Sequence, residues 1–146
     1  MGIKVRGVAN SVNALNRLID NIQTRKIPRA LQSANLVIAA QAAIITPVDT
    51  STLLNSQFRE IIVNGTRITG RVGYSANYAL YVHNASGKLK GQPRAHFGKT
   101  RDGKEFGGGT GTGNYWDPHA EPHFLTKGGE QARDDVDRVI RKELSL

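Results

Sequence analysis

Apolar residues recur near the start of the chain at Val12, Leu15, Ile19 and Ile22, with Arg17, Asp20 and Gln23 between them. Steps of three and four put residues on one face of an α-helix, so this stretch predicts an amphipathic helix. Ser11 stands where an N-cap would sit. Pro28 has no amide to donate and crowds the preceding turn. It predicts an interruption, a kink, or a new helix opening near its first turn. Leu31, Ala34, Ile38, Gln41/Ala42 and Ile45 carry the stripe on. Ala34, Ala39, Ala40, Ala42 and Ala43 favour helix there and permit close approach by a neighbouring element. Pro47 pushes Thr46 out of the helical region and ends the run. The first part therefore reads as a helical hairpin or one long kinked helix.

The period then changes. Asp49 and Thr50 precede Leu53-Leu54 as an N-cap or Asx-turn does, predicting a short helical turn. Gln57–Val63 and Arg67–Tyr74 read as strands joined by an Asn64-Gly65 turn, a strong short-range hairpin signal. Tyr78–Val82 is apolar and aromatic enough to be buried, as a strand or a helical turn. Ala132, Val136, Val139, Ile140 and Leu144 form one face of a closing helix. Glu130, Asp134 and Asp135 lie early in it and Arg141 and Lys142 near its end, as the helix dipole favours.

Residues 84–118 break the pattern with nine glycines between Gly87 and Gly113, including Gly107-Gly108-Gly109-Thr110-Gly111-Thr112-Gly113. A loop this long in a compact domain has a function of its own or is disordered. His96-Phe97-Gly98-Lys99-Thr100 and Glu105-Phe106 flank an Asp102-Gly103 turn signal, predicting a two-stranded arm. As a hairpin, ~30 residues reach roughly 50 Å. The elements make an α+β set in a single domain, 1–146, with the basic, glycine-rich segment 84–118 inserted as an extended loop or arm.

Composition narrows the function. A chain of 146 residues buries one modest core, and 38% hydrophobic with 6% aromatic residues is lean for it, a hint that partner subunits supply stability. The absence of cysteine excludes disulfides, thiolate metal sites and a cysteine nucleophile. Leu36–Ile45, the most apolar stretch, is far short of the roughly 20 residues that span a bilayer. Met1–Arg6 lacks the apolar run of a signal peptide, so a soluble protein with no membrane partner is expected.

The net charge of +8 is unevenly placed. Lys4, Arg6, Arg17, Arg25, Lys26 and Arg29 face a single acid, Asp20, in residues 1–30. Lys88, Lys90, Arg94, Lys99, Arg101 and Lys104 face only Asp102 and Glu105 in the arm. From residue 114 on, acids outnumber bases. Such asymmetry suits nucleic-acid contact, or the basic part of one subunit meeting the acidic part of the next.

No constellation points to catalysis. Asp117-Pro118-His119-Ala120-Glu121-Pro122-His123 superficially has the two histidines of a zinc-protease helix. Alanine follows His119, however, and Pro122 stands between them, which favours loop or packing histidines over a metal site. Lys99 and the glycine run lack the spacing and the βα unit of a phosphate-binding loop. Serines and threonines at 50–56 have no histidine near them in sequence and read as caps and turn formers. Phe97, Phe106, Tyr115 and Trp116 are too irregular for a base-stacking sheet, which leaves non-specific electrostatic contact with DNA. The expectation is a protein that is not an enzyme, with no cofactor and no metal.

Three segments carry a resemblance. Thr46-Pro47-Val48-Asp49-Thr50-Ser51-Thr52-Leu53-Leu54-Asn55-Ser56, Val72-Gly73-Tyr74-Ser75-Ala76-Asn77-Tyr78-Ala79-Leu80-Tyr81-Val82 and Ala120-Glu121-Pro122-His123-Phe124-Leu125 occur in that order. Their order and spacing resemble a family of tailed-bacteriophage neck, tail-completion or minor tail-component proteins. The resemblance covers residues from about 8 to 145, interrupted by the 84–118 insertion. It implies an α+β fold in which long N-terminal helices and a C-terminal helix pack on a small antiparallel sheet.

It also implies a non-enzymatic virion protein forming a ring, a hexamer, at the neck or top of the tail. There the ring would bridge head-completion proteins and the tail terminator or tail tube, after assembly in the host cytoplasm. Pro47, Val48, Asp49, Leu53, Tyr78, Ala79, Tyr81, Val82, Pro122, Phe124 and Leu125 match the family's motifs as fold-defining positions. Ser51 replaces the family's glycine, so a left-handed turn is disfavoured there and a different cap is expected. His83-Asn84-Ala85 replaces an acid-aromatic-glycine sequence. Lys88, Lys90, Arg94, Lys99, Arg101 and Lys104 are the candidate contacts, either with DNA in the ring's lumen or with the acidic last helix of the next subunit. The alternative reading is a small basic, non-specific nucleic-acid-binding protein.

Overall fold

The structure, a computed structural model, describes residues 6–48, 51–93, 96–99, 101–107 and 115–145, with 96–99 and 105–107 described by their backbone. One helical run carries the fold: α1 (Val8–Asn21), a single π-helical turn (Ile22–Lys26) and α2 (Ile27–Ile45). Pro28 explains where the π-turn falls. In a regular helix its ring would press on the Thr24 carbonyl and leave it without a donor. Instead the Ile27 amide donates five residues back, to the Ile22 carbonyl, widening the ladder just ahead of the proline. The proline thus sits in the first turn of α2 without splitting the run into a hairpin. The run also begins before the predicted cap. Gly7, in left-handed backbone, precedes Val8, and Ser11 lies inside the first turn with its amide on the Gly7 carbonyl at 3.0 Å. At the far end Thr46 is extended, φ −71° and ψ 130°, as Pro47 requires.

α2 is the spine of the body. Its buried residues are Ala30, Ala34, Asn35, Ala39 and Ala42, while Leu31, Ile38 and Ile45 are only half-buried. The predicted stripe is therefore turned toward its smallest members. The reason is how closely other elements approach. A Cβ built on Gly128 would stand 2.6 Å from the Ala42 Cα, and one on Gly70 2.7 Å from Asn35 Oδ1. Gly128 belongs to α5 (Phe124–Gln131), which is followed by α6 (Arg133–Leu144). The single closing helix expected from the sequence is thus two, divided at the buried Ala132. Gln41 Nε2 donates to Gln131 Oε1 at 2.9 Å near one end of α2. Near the other, Arg29 pairs with Glu143 at 3.6 Å and Lys26 Nζ donates to the Ser145 carbonyl. α6 therefore runs antiparallel to α2 and ends at the π-turn. Val136, Val139 and Ile140 are half-buried, whereas Leu144 is exposed.

β1 (Gln57–Asn64) and β2 (Arg67–Tyr74) form the predicted hairpin, with Gln57 opposite Tyr74 and Asn64 opposite Arg67. This register places the turn on Gly65-Thr66, one residue later than the Asn-Gly signal suggested. Gly65 has φ +60° and Thr66 does not share the positive φ, the pattern of a II′ turn with glycine first. α2 covers one face of the hairpin. Asn35 Nδ2 reaches into it, donating to the Glu60 carbonyl at 3.1 Å and the Arg71 carbonyl at 3.5 Å. Gln57 Nε2 donates to the Ala39 carbonyl and to Tyr74 Oη, at 2.9 and 2.8 Å. Thr46 donates to the Ala42 carbonyl, so the 2.7 Å contact between the two hydroxyls is donated by Tyr74. This polar chain ties the C-terminal end of α2 to the sheet.

α3 (Thr52–Asn55) is the predicted helical turn; Asp49 and Thr50, its expected caps, lie outside the described residues. Ser51 corrects an expectation. It adopts the left-handed backbone that serine was expected to avoid, φ 64° and ψ 4°, and its carbonyl accepts the Asn55 amide at 2.8 Å. The direction in which the chain must deliver Leu53 to the core outweighs the local preference, at a cost of about 1–2 kcal/mol. Ser51→Gly is expected to raise stability by about 0.5–1 kcal/mol and the thermal midpoint by about 2–5 °C. An unchanged midpoint in a thermal melt would show that the serine carries no strain.

The second motif runs from the end of β2 into a short helix, α4 (Ala79–Asn84). Burial of the whole Tyr78–Val82 stretch does not hold: Ala79 is buried and Val82 half-buried, but Leu80 and Tyr81 are 72% and 80% exposed. A six-residue helix laid on the core presents only one side to it. The arm predicted across Asp102-Gly103 forms an antiparallel pair, β3 (His96–Lys99) with β4 (Glu105–Gly107). Its stem is closed by the Gly91 amide on the Trp116 carbonyl, the Trp116 amide on the Gln92 carbonyl, and a bridge between Pro93 and Tyr115.

Candidate interaction surface

The three motif segments meet at one place. Leu53 from the first, Ala79 from the second and Phe124 from the third form the buried cluster of the body, with Ile45, Tyr74, Ala76, Val82 and Leu125 packed around them. The Phe124 ring meets Tyr74 edge-on at 5.1 Å and His83 at 5.2 Å. His83 is thus a packing residue. Its carbonyl also accepts the His123 amide at 2.8 Å, which helps hold His123 in left-handed backbone, φ 54°. The His119–His123 run gathers no metal site: among the described residues no three His, Cys, Asp or Glu side chains are placed to share an ion.

Outside this cluster lies a mostly apolar groove of about 1030 Å³. Leu53 and Val82 belong to both; Tyr78, Leu80, Tyr81 and Leu89 line it from exposed positions. Its frame is polar and self-satisfied. Asp117 accepts the Val48 amide at 2.9 Å and the His119 amide at 2.8 Å, tying the end of the first helical run to the return of the arm. The Glu121 amide donates to the Ile45 carbonyl at 3.0 Å. The Glu121 carboxylate is held by Lys90 and by Lys127, the latter at 2.9 Å. Hydrogen bonds from these two ammonium groups, Lys90 first, together with their charges pull its pKa down from 4.5 to about 2. The folded value lies below the ordinary one. The clamp's contribution to stability is therefore present above pH 4.5 and lost as the pH falls toward 2. Gly87 completes the frame with φ +71°; a Cβ there would stand 2.7 Å from the Pro122 ring.

The structure divides the basic candidates. Lys88 and Lys90 line the groove, and Lys90 is engaged by Glu121. Arg101 and Lys104 are exposed in the turn between β3 and β4. Lys99 lies on β3, and Arg94 is outside the described residues. Of the motif positions, Pro47, Val48, Leu53, Tyr78, Tyr81, Val82 and Pro122 all line the groove. Asp49 is outside the described residues.

A second apolar surface was not foreseen. Every described residue from Arg6 to Asp20 is exposed, so the α1 stripe that predicted a packed helix is uncovered: Val8 at 57%, Val12 at 48%, Leu15 at 55% and Ile19 at 43%. Among the described residues the buried hydrophobic set, by contrast, is six alanines with Leu53 and Phe124. The lean composition was the signal available in the sequence: a core lined by alanine leaves the larger apolar residues for other surfaces. Among the described residues, no helix is long and apolar enough to cross a membrane. No known family, curated protein or solved structure significantly matches this chain.

Proposed function

We propose that this chain is a structural subunit of a tailed-bacteriophage neck or tail-completion ring that helps join the filled head to the tail. The observation that carries this reading is the division of its apolar residues. The three family-like segments converge on Leu53, Ala79 and Phe124, while Val8, Val12, Leu15, Leu80, Tyr81 and Leu89 remain on the surface. Contiguous exposed apolar surface marks sites of association, and a chain with so little bulk in its core suits an assembly whose neighbours complete it. Its work is mechanical. The helices and the hairpin form the ring body. The 84–118 arm reaches the next subunit or an adjoining ring, with Arg101 and Lys104 at its turn meeting DNA in the lumen or an acidic neighbour.

Electron microscopy of a lysate in which this gene alone is silenced tests the reading. Filled heads beside separate, normal-length tails are the expected result; joined, infectious particles would overturn it. The second reading, a basic nucleic-acid-binding protein, is favoured by the +8 charge and the exposed arm cations. It predicts duplex binding by the free chain that weakens steeply with salt.

A further inference from the structure

Two unmatched apolar surfaces on one chain raise the question of what covers them. α1 presents Val8, Val12, Leu15 and Ile19 at steps of four, three and four, the i, i+4, i+7, i+11 anchors of a helix that lies in a groove. From Gly7 to Asn16 it carries no charged residue, in a chain that is 22% charged. A helix meant to face water carries ion pairs and lysines; between its anchors from Val8 to Leu15 this one carries only asparagine, alanine and serine, and Arg17 is the one charge before Ile19. The groove beneath Leu80, Tyr81 and Leu89 is its counterpart: apolar, with Glu121 and Asp117 already satisfied by Lys90, Lys127 and backbone amides. The charge-free Val8–Asn16 part of α1 is what such a groove accepts without leaving a buried charge unpaired.

The chain's own α1 does not fill its own groove. α1 precedes Ile22, and the groove begins at Pro47, at the other end of the same helical run. The 24 intervening residues rise about 36 Å at 1.5 Å each. The two surfaces therefore meet only between copies, and because they differ, the contact repeats head to tail. A heterologous contact of this kind closes into a ring when its rotation divides the circle.

We infer that the Val8–Ile19 face of α1 of one copy seats in the Leu80–Tyr81–Leu89 groove of the next, joining subunits head to tail. The contact deepens the subunit reading above and rests on it, while its test is separate. The full-length chain, Leu15→Glu and Tyr81→Glu are compared by sedimentation velocity over a range of concentrations. The wild-type chain is expected to associate beyond the dimer. Each variant alone is expected to sediment as a 15.9 kDa monomer, its association weakened roughly thirtyfold or more.

An equal mixture of the two variants is the decisive arm. Leu15→Glu retains a sound groove and Tyr81→Glu a sound helix, so the mixture forms a dimer with one junction and stops there. Both positions are exposed, and unchanged circular dichroism and urea midpoints show that the body is folded. Val12→Glu and Leu80→Glu serve as second variants where either fails that check. A monomeric wild-type chain, association that survives either substitution, or a mixture without a dimer overturns the contact. Dimers that survive Tyr81→Glu but not Leu15→Glu would instead assign α1 to pairing with itself. None of these results depends on virions. Joined particles from the silenced lysate would sink the neck reading and leave the contact standing.

Discussion

Phe124→Ala is expected to cost about 3–5 kcal/mol, the range for truncating a large buried aromatic residue. Whole domains are stable by only about 5–15 kcal/mol, so much of the margin would go. Phe124 is 1% exposed, and among the described residues it and Leu53 are the two large apolar side chains in the buried set. Ala79, the third buried member of the cluster, has no rotamer with which to fill the void. Tyr74 and His83 lose the ring they meet edge-on, and Tyr74 is also the middle of the Gln57–Tyr74–Thr46 polar chain. The thermal midpoint should fall by about 10–20 °C. Tyr81→Ala, from the same convergence of motifs but 80% exposed, is the internal control and should change free-chain stability by less than about 0.5 kcal/mol. Equal effects from the two, read by urea unfolding, would mean that the third motif does not close the core.

The contrast between these two residues shows what a sequence discloses. Tyr81 and Phe124 are both aromatic and both belong to family-like segments; nothing local distinguishes them. Period, proline and glycine fix local geometry. That is why the helical runs, the extension at Thr46, the hairpin and the two-stranded arm were legible. Burial is settled by partners distant in sequence. Leu53 and Phe124 meet across 71 positions, and no spacing rule reports that. By its period the α2 stripe comprises Leu31, Ala34, Ile38, Gln41/Ala42 and Ile45, and burial falls on its small members, Ala34 and Ala42. The reason is close approach by glycine-bearing elements, Gly128 to Ala42 and Gly70 to Asn35. Asn64-Gly65 carried the right signal, but the II′ geometry needs glycine first, which moved the turn one residue on. Ser51 shows tertiary demand overriding local preference. The uncovered face of α1 was legible as a face, yet a single chain cannot disclose that its cover is absent from that chain.

Gly128 is the sharpest case of close approach, and Gly128→Ala is expected to be destabilising although alanine is the better helix former. Within a helix, replacing glycine by alanine gains about 1 kcal/mol. Here the added methyl would lie 2.6 Å from the Ala42 Cα, 2.7 Å from its Cβ and 2.8 Å from its amide nitrogen. Two of these three atoms are backbone of α2, which cannot rotate away, so α5 must move as a body. Overpacking of this kind costs about 1–3 kcal/mol, and moving α5 also pulls Phe124, its first residue, from the core. The expected net loss is about 1–2 kcal/mol, read as a lower urea midpoint at constant slope. The swap Ala42→Gly with Gly128→Ala separates backbone from side-chain crowding. Removing the Ala42 Cβ relieves one contact and leaves the Cα and nitrogen in place, so the swap should not restore wild-type stability. Full restoration would mean that the two helices meet through their side chains alone, and that α5 can draw back from α2 without disturbing Phe124.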